Sequence, residues 1–75
     1  MQIKYNVTGD RRKALVAVMR DTLQDTTRYL GAPSFAFQVG KYTVDKNGTV
    51  TCPDDTDEVQ IEMLIRELER DGFIG

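Results

Sequence analysis

Apolar residues alternate singly from Ile3 to Val7, recur at helical spacing from Leu15 to Leu23, alternate again from Phe35 to Val44, and return to helical spacing from Val59 to Leu68. A period of two lines one face of a strand, and a period near 3.6 lines one stripe of a helix. A chain that changes period in this way must pack helices against a sheet. With 75 residues it has material for one core. At that size a fold exposes about 4,700 Å² and buries about 60% of its unfolded surface, which suits one small domain.

The first strand carries Ile3, Tyr5 and Val7 inward and Gln2, Lys4 and Asn6 outward. Thr8-Gly9-Asp10 ends it and offers helix-capping oxygens. A helix is predicted over 10–24, with Leu15, Val18, Met19, Thr22 and Leu23 on its apolar side. Thr27–Leu30 reads as a short strand with Tyr29 inward, and Gly31-Ala32-Pro33-Ser34 as a turn. Phe35, Phe37 and Val39 mark the next strand. At Gly40 the apolar parity switches from odd to even, which a bulge or a two-residue turn would explain, the turn being preferred. Asn47-Gly48 signals a second hairpin, and Pro53 ends the strand of Thr49–Cys52. Asp54 or Asp55 is placed to cap a second helix over 55–71, with Asp55 and Glu58 at capping-box spacing. Gly72 suits the position after that helix, from which Phe73 could fold back on Leu68.

The predicted fold is α+β: a two-layer sandwich of order β-α-β-β-β(-β)-α, with an antiparallel-rich sheet and two helices on one face. The link through the first helix is long enough for a parallel crossover, and the later strands form a meander. Tyr5, Val7, Tyr29, Phe35, Phe37, Tyr42 and Val44 are assigned to the covered face, with Leu15, Met19, Phe37, Leu64 and Leu68 at the centre of the core. The other face is predicted to be polar and basic, carrying Arg28, Ala36 and Gln38 beside the threonines.

Composition narrows the chemistry. The chain has no histidine and one cysteine. A Ser-His or Cys-His pair is therefore impossible within it, and Cys52 alone cannot build a zinc site. Cys52 reads as a small apolar strand residue, and a free thiol points to the cytoplasm. Asp45 starts no calcium loop, because glycine and glutamate are missing at the sixth and twelfth positions. Asp54-Asp55 lies where a helix start wants carboxylates, and no glycine-rich phosphate motif occurs. No catalytic residue, metal or cofactor is expected, and no apolar run is long enough for a membrane span.

Charge is uneven. Residues 1–51 hold eight cations and four anions, whereas residues 52–75 hold two cations and eight anions. The acidic segment is expected to fold against the basic one, with Glu62, Glu67 or Glu69 near the Arg11-Arg12-Lys13 run. Those three cations sit in a helix's first turn, where the dipole disfavours them. Together with Lys4 and Arg28 they are the candidate residues for binding a partner or phosphate. Changing the three to Gln is expected to leave the melting point nearly unchanged. Aromatic stacking platforms are missing from the predicted open face, so single-strand RNA binding of that kind is not expected.

The stretches Ile3–Gly9, Arg12–Val16, Tyr29–Phe37 and Tyr42–Gly48, in that order, resemble the N-terminal domain of proteins labelled virulence-related in Gram-positive gut-type bacteria, many of them on phage-like or integrative elements. The resemblance implies a piece of a longer mobile-element protein and brings no catalytic residue with it. The resulting expectation is a non-catalytic protein-interaction or assembly module, whose partner is a protein or the remaining domains of the full-length product. The alternative is an accessory nucleic-acid-binding domain working through the basic first turn.

Overall fold

The computed structural model describes residues 1–75. Its elements are β1 (Gln2–Lys4), α1 (Gly9–Leu23), β2 (Thr27–Tyr29), β3 (Phe37–Val39), β4 (Tyr42–Val44), β5 (Thr49–Thr51) and α2 (Glu58–Arg70). The five strands form one sheet in the order β1-β5-β4-β3-β2. Every neighbouring pair is antiparallel, so the crossover through α1 makes no parallel pair. It carries the chain from one edge of the sheet to the other. The accessible surface is 4883 Å², close to the value its size predicts. No helix is long and apolar enough to cross a membrane.

One core joins Leu15, Val16 and Met19 of α1 and Ile61, Leu64 and Leu68 of α2 to Tyr5, Val39, Tyr42, Val44, Val50 and Cys52 from the sheet. Leu15, Met19, Leu64 and Leu68 are fully buried, as their spacing predicts. Phe37 is half-buried and packs against the core from its margin. Tyr29 and Phe35, predicted inward, are exposed by 53% and 43%. Tyr29 does share the covered side, pairing with Phe37, but it stands on the edge strand while α1 packs over β3. Phe35 lies in the turn before β3, at a φ of 54°. Ala36, predicted on the open face, is buried.

The parity switch at Gly40 is a turn. Val39 pairs with Tyr42, and Gly40 has a φ of 57°. In the second hairpin the Asp45 carboxylate accepts from the backbone N–H of Asn47 and of Thr49, each at 2.9 Å, so it braces the loop. Gly48 there has a φ of 83°, and a Cβ would stand 2.7 Å from the backbone N and O of Val7. Only glycine lets the hairpin approach the chain leaving β1 this closely.

Helix α2 starts later than predicted. Asp54 and Asp55 lie in a turn after Pro53, closed by Thr56 N–H donating to the Pro53 carbonyl at 3.1 Å. The cap is Asp57, whose carboxylate accepts from Val59 N–H at 2.9 Å. At the other end Phe73 N–H donates to Leu68 O at 2.8 Å and Gly72 N–H to Glu69 O at 3.0 Å. This paired closure returns Phe73 into the core beside Leu68, as the sequence predicts.

Candidate interaction surface

The five candidate cations do not form one patch. Lys4 and Arg28 both face the open side of the sheet, but on opposite edge strands. Four strand spacings, about 19 Å, separate those edges. Arg11 holds its guanidinium over the Phe73 ring, 4.4 Å from the centroid. Arg12 donates to Phe35 O at 2.8 Å and Asp45 O at 3.2 Å, and lies 4.7 Å from the centroid of Phe37. It ties the turn before β3 and the β4–β5 hairpin to α1. Only Lys13 of this run lines a groove.

The predicted neutralisation by α2 does not occur. The ion pairs join the N-terminal ammonium to Asp54, Arg20 to Asp21, and Arg70 to Glu67, with none between α1 and α2. The polarity of charge along the sequence is thus kept on the surface. Arg12 differs from its neighbours in donating from Nη1 to two backbone carbonyls, so replacing it is not expected to be silent.

The open face carries the row Gln2, Thr51, Thr43, Gln38 and Arg28, one residue from each strand in register. Lys4 and Thr49 stand beside it as a pair. This is the polar, cation-bearing face that the alternation predicts, except for Ala36.

The β2 edge carries different chemistry. All three of its residues are exposed. Gly40 N–H donates to Thr26 O and Leu30 N–H to Ala36 O. Antiparallel bonding alternates, so Arg28 also faces β3 and the N–H and C=O groups of Thr27 and Tyr29 point away from the sheet. Tyr29, Leu30 and Phe35 expose large apolar side chains there, and the Tyr29 ring lies 5.0 Å from that of Phe37. On the helix side a groove of about 240 Å³ is lined by Lys13, Val16, Ala17, Arg20, Thr27 and Phe37, with no carboxylate among them.

A second cleft, of about 350 Å³, gathers Asp25, Lys41, Tyr42, Asp55, Asp57 and Gln60. Tyr42 donates there to Gln60 Oε1 at 2.8 Å. No three metal-ligating side chains converge anywhere in the molecule. Cys52 is buried, and burial pushes its thiol pKa up.

Sequence reasoning missed the aromatic part of the β2 edge because alternation records which face a residue takes, not whether a helix reaches it. The available signal was brevity: Thr27–Tyr29 is followed after Leu30 by a Gly-Ala-Pro turn, which leaves little strand to cover. Comparison with protein-family models, curated proteins and solved structures finds no match to this chain.

Proposed function

We propose that this chain is a non-catalytic interaction or assembly module of a mobile-element protein, acting in the cytoplasm and engaging a protein partner through β2 and the turn before β3. The observation that carries the reading is the coincidence, on one sheet edge, of unpaired backbone groups with exposed Tyr29, Leu30 and Phe35. Such an edge is a template for another chain, and clustered exposed apolar side chains mark contact surfaces. The nucleic-acid alternative has less support. Arg11 and Arg12 are held against Phe73 and against backbone carbonyls, so the basic run does not present a row of free cations to phosphates.

A photo-crosslinking residue at position 29 tests the proposal in the source bacterium. Capture of a protein at 29 but not at exposed Met63 of α2 is the expected outcome, and equal capture at both overturns it. The protein is also expected to shift no duplex DNA at about 0.15 M salt, where non-specific binders show ~10⁻⁴–10⁻⁶ M. Micromolar binding that is lost when Arg11, Arg12 and Lys13 become Gln would favour the nucleic-acid reading.

A further inference from the structure

Resting on that reading, we infer that the β2 edge takes up an extended acidic segment of a partner protein, added as a sixth strand, with a carboxylate beside Arg28 and apolar side chains on either side of it in sequence.

The backbone sets the mode. Thr27 and Tyr29 leave two N–H and two C=O groups pointing outward in strand geometry, and no side chain of the protein bonds them. An added strand satisfies these groups directly, whereas a docked helix or a nucleic acid does not. The alternation sets the pattern. Arg28 faces the open side, so the incoming residue opposite it does too. Its neighbours fall opposite Thr27 and Tyr29, above the groove of Val16, Ala17 and Phe37, which favours apolar side chains.

Charge sets the sign. Arg28 faces the incoming carboxylate on the open side, and Lys13 and Arg20 line the groove on the helix side, so the edge is cationic on both sides. Arg20 uses only Nε toward Asp21, which leaves its terminal nitrogens free. A second copy of this strand is a poor occupant. In twofold pairing centred on β2, Arg28 would lie directly opposite Arg28, and like charges so placed are destabilising.

The test is amide NMR of the whole chain titrated with the peptide Ser-Glu-Val-Glu-Val-Glu-Ser. The expected result is movement of the Thr27, Arg28 and Tyr29 resonances, with slowed exchange at Thr27 and Tyr29. Arg28→Glu should weaken binding roughly tenfold. Thr27→Pro should abolish it, since proline is tolerated where an edge N–H is unbonded but cannot donate to a new strand. A peptide with the same side chains and alternate N-methyl groups should not bind to the unaltered protein, a control that does not depend on any variant folding. Equal binding of the N-methylated peptide overturns strand addition, and equal binding of the Lys-for-Glu peptide overturns the acidic partner. No shift at millimolar peptide, or a shift only with a single-stranded oligonucleotide, overturns the inference as well. Crosslinking at position 29 is read independently, so failure here and failure of the interaction module remain distinguishable.

Discussion

Strands β1 and β2 form the two edges of one sheet, and each is three residues long. They are finished differently. Beside β1, the closure at Gly72 turns the chain so that Phe73 enters the core and Gly75 comes against Ile3 and Lys4. A Cβ on Gly75 would stand 2.5 Å from Ile3 Cγ2 and 3.6 Å from Lys4 O. At β2, Gln24 ends α1 in the left-handed region and the chain enters the strand at once. No segment is left to lie outside it. The difference comes from the segment after each helix: the residues beyond α2 pack Phe73 into the core and Gly75 beside Ile3 and Lys4, while those beyond α1 are themselves the other edge. Ile3 of the covered edge packs against the core, while all three residues of the bare edge are exposed.

Truncating one aromatic at each edge should separate the two. Phe73 is 3% exposed and belongs to the core, so Phe73→Ala should cost roughly 3–5 kcal/mol. That is most of the stability of a domain this small. Tyr29→Ala, at a residue 53% exposed, should cost about 1 kcal/mol or less. Phe37→Ala should fall between the two, because Phe37 is half-buried. Urea unfolding measures all three. Equal losses at 29 and 73 would mean that the two edges are equally built into the core.

The asymmetry was only partly legible in the sequence. Periodicity placed both helices and the inward parity of the strands, because burying one face of an element leaves its mark on every residue of that element, while the hairpins were read from Gly40 and Asn47-Gly48. Gly72 and Phe73 announced the covered edge, since their closure is local to the chain. What pattern could not show is lateral reach, that is, how many strands two helices cover. Tyr29 satisfies the inward rule and still meets solvent. Asp54, Asp55 and Asp57 are equally good caps by composition, and the turn after Pro53 decides for Asp57. Within Arg11-Arg12-Lys13 no signal marked Arg12, because its acceptors Phe35 and Asp45 are distant in sequence.

Arg12 holds the bare edge in place from within. Arg12→Gln removes two bonds to backbone carbonyls and a stacked guanidinium, and should cost about 1–3 kcal/mol. Lys13→Gln, at an exposed and unpaired cation, should stay within about 0.5 kcal/mol. Hydrogen exchange should locate the Arg12→Gln loss in the segment 30–37 and in the hairpin turn after Asp45, leaving β1 protected. If exchange instead rises uniformly, Arg12 supports the whole fold and not that turn.

The smallest effect is a titration, and it acts on the covered side of the sheet. Burial raises the pKa of Tyr5, with the negative charges of Cys52 and Glu69 adding to it. Burial likewise raises that of Cys52, opposed by the N-terminal ammonium, and that of Tyr42, assisted by Cys52. Each of these groups is neutral when protonated, so the fold favours the protonated form. The folded pKa then lies above the ordinary value, 9.0 for the thiol and 10.0 for the phenols. Between the ordinary and the raised value the folded chain holds more protons than the unfolded one, and stability falls with rising pH. The contribution is therefore complete below pH 9.0 and is lost progressively above it. Melting temperatures should hold level on the neutral side of that point and decline beyond it. Tyr5→Phe, which removes one titrating group, should make the decline shallower. Because Tyr5 N–H donates to Gly48 O and Cys52 N–H to Met1 O, the loosening should begin where β1 meets β5. Exchange in strongly alkaline solution should then speed up at the amides of Tyr5 and Cys52 more than at those bonding β2 to β3. The reverse order would show that the covered edge does not carry the alkaline response.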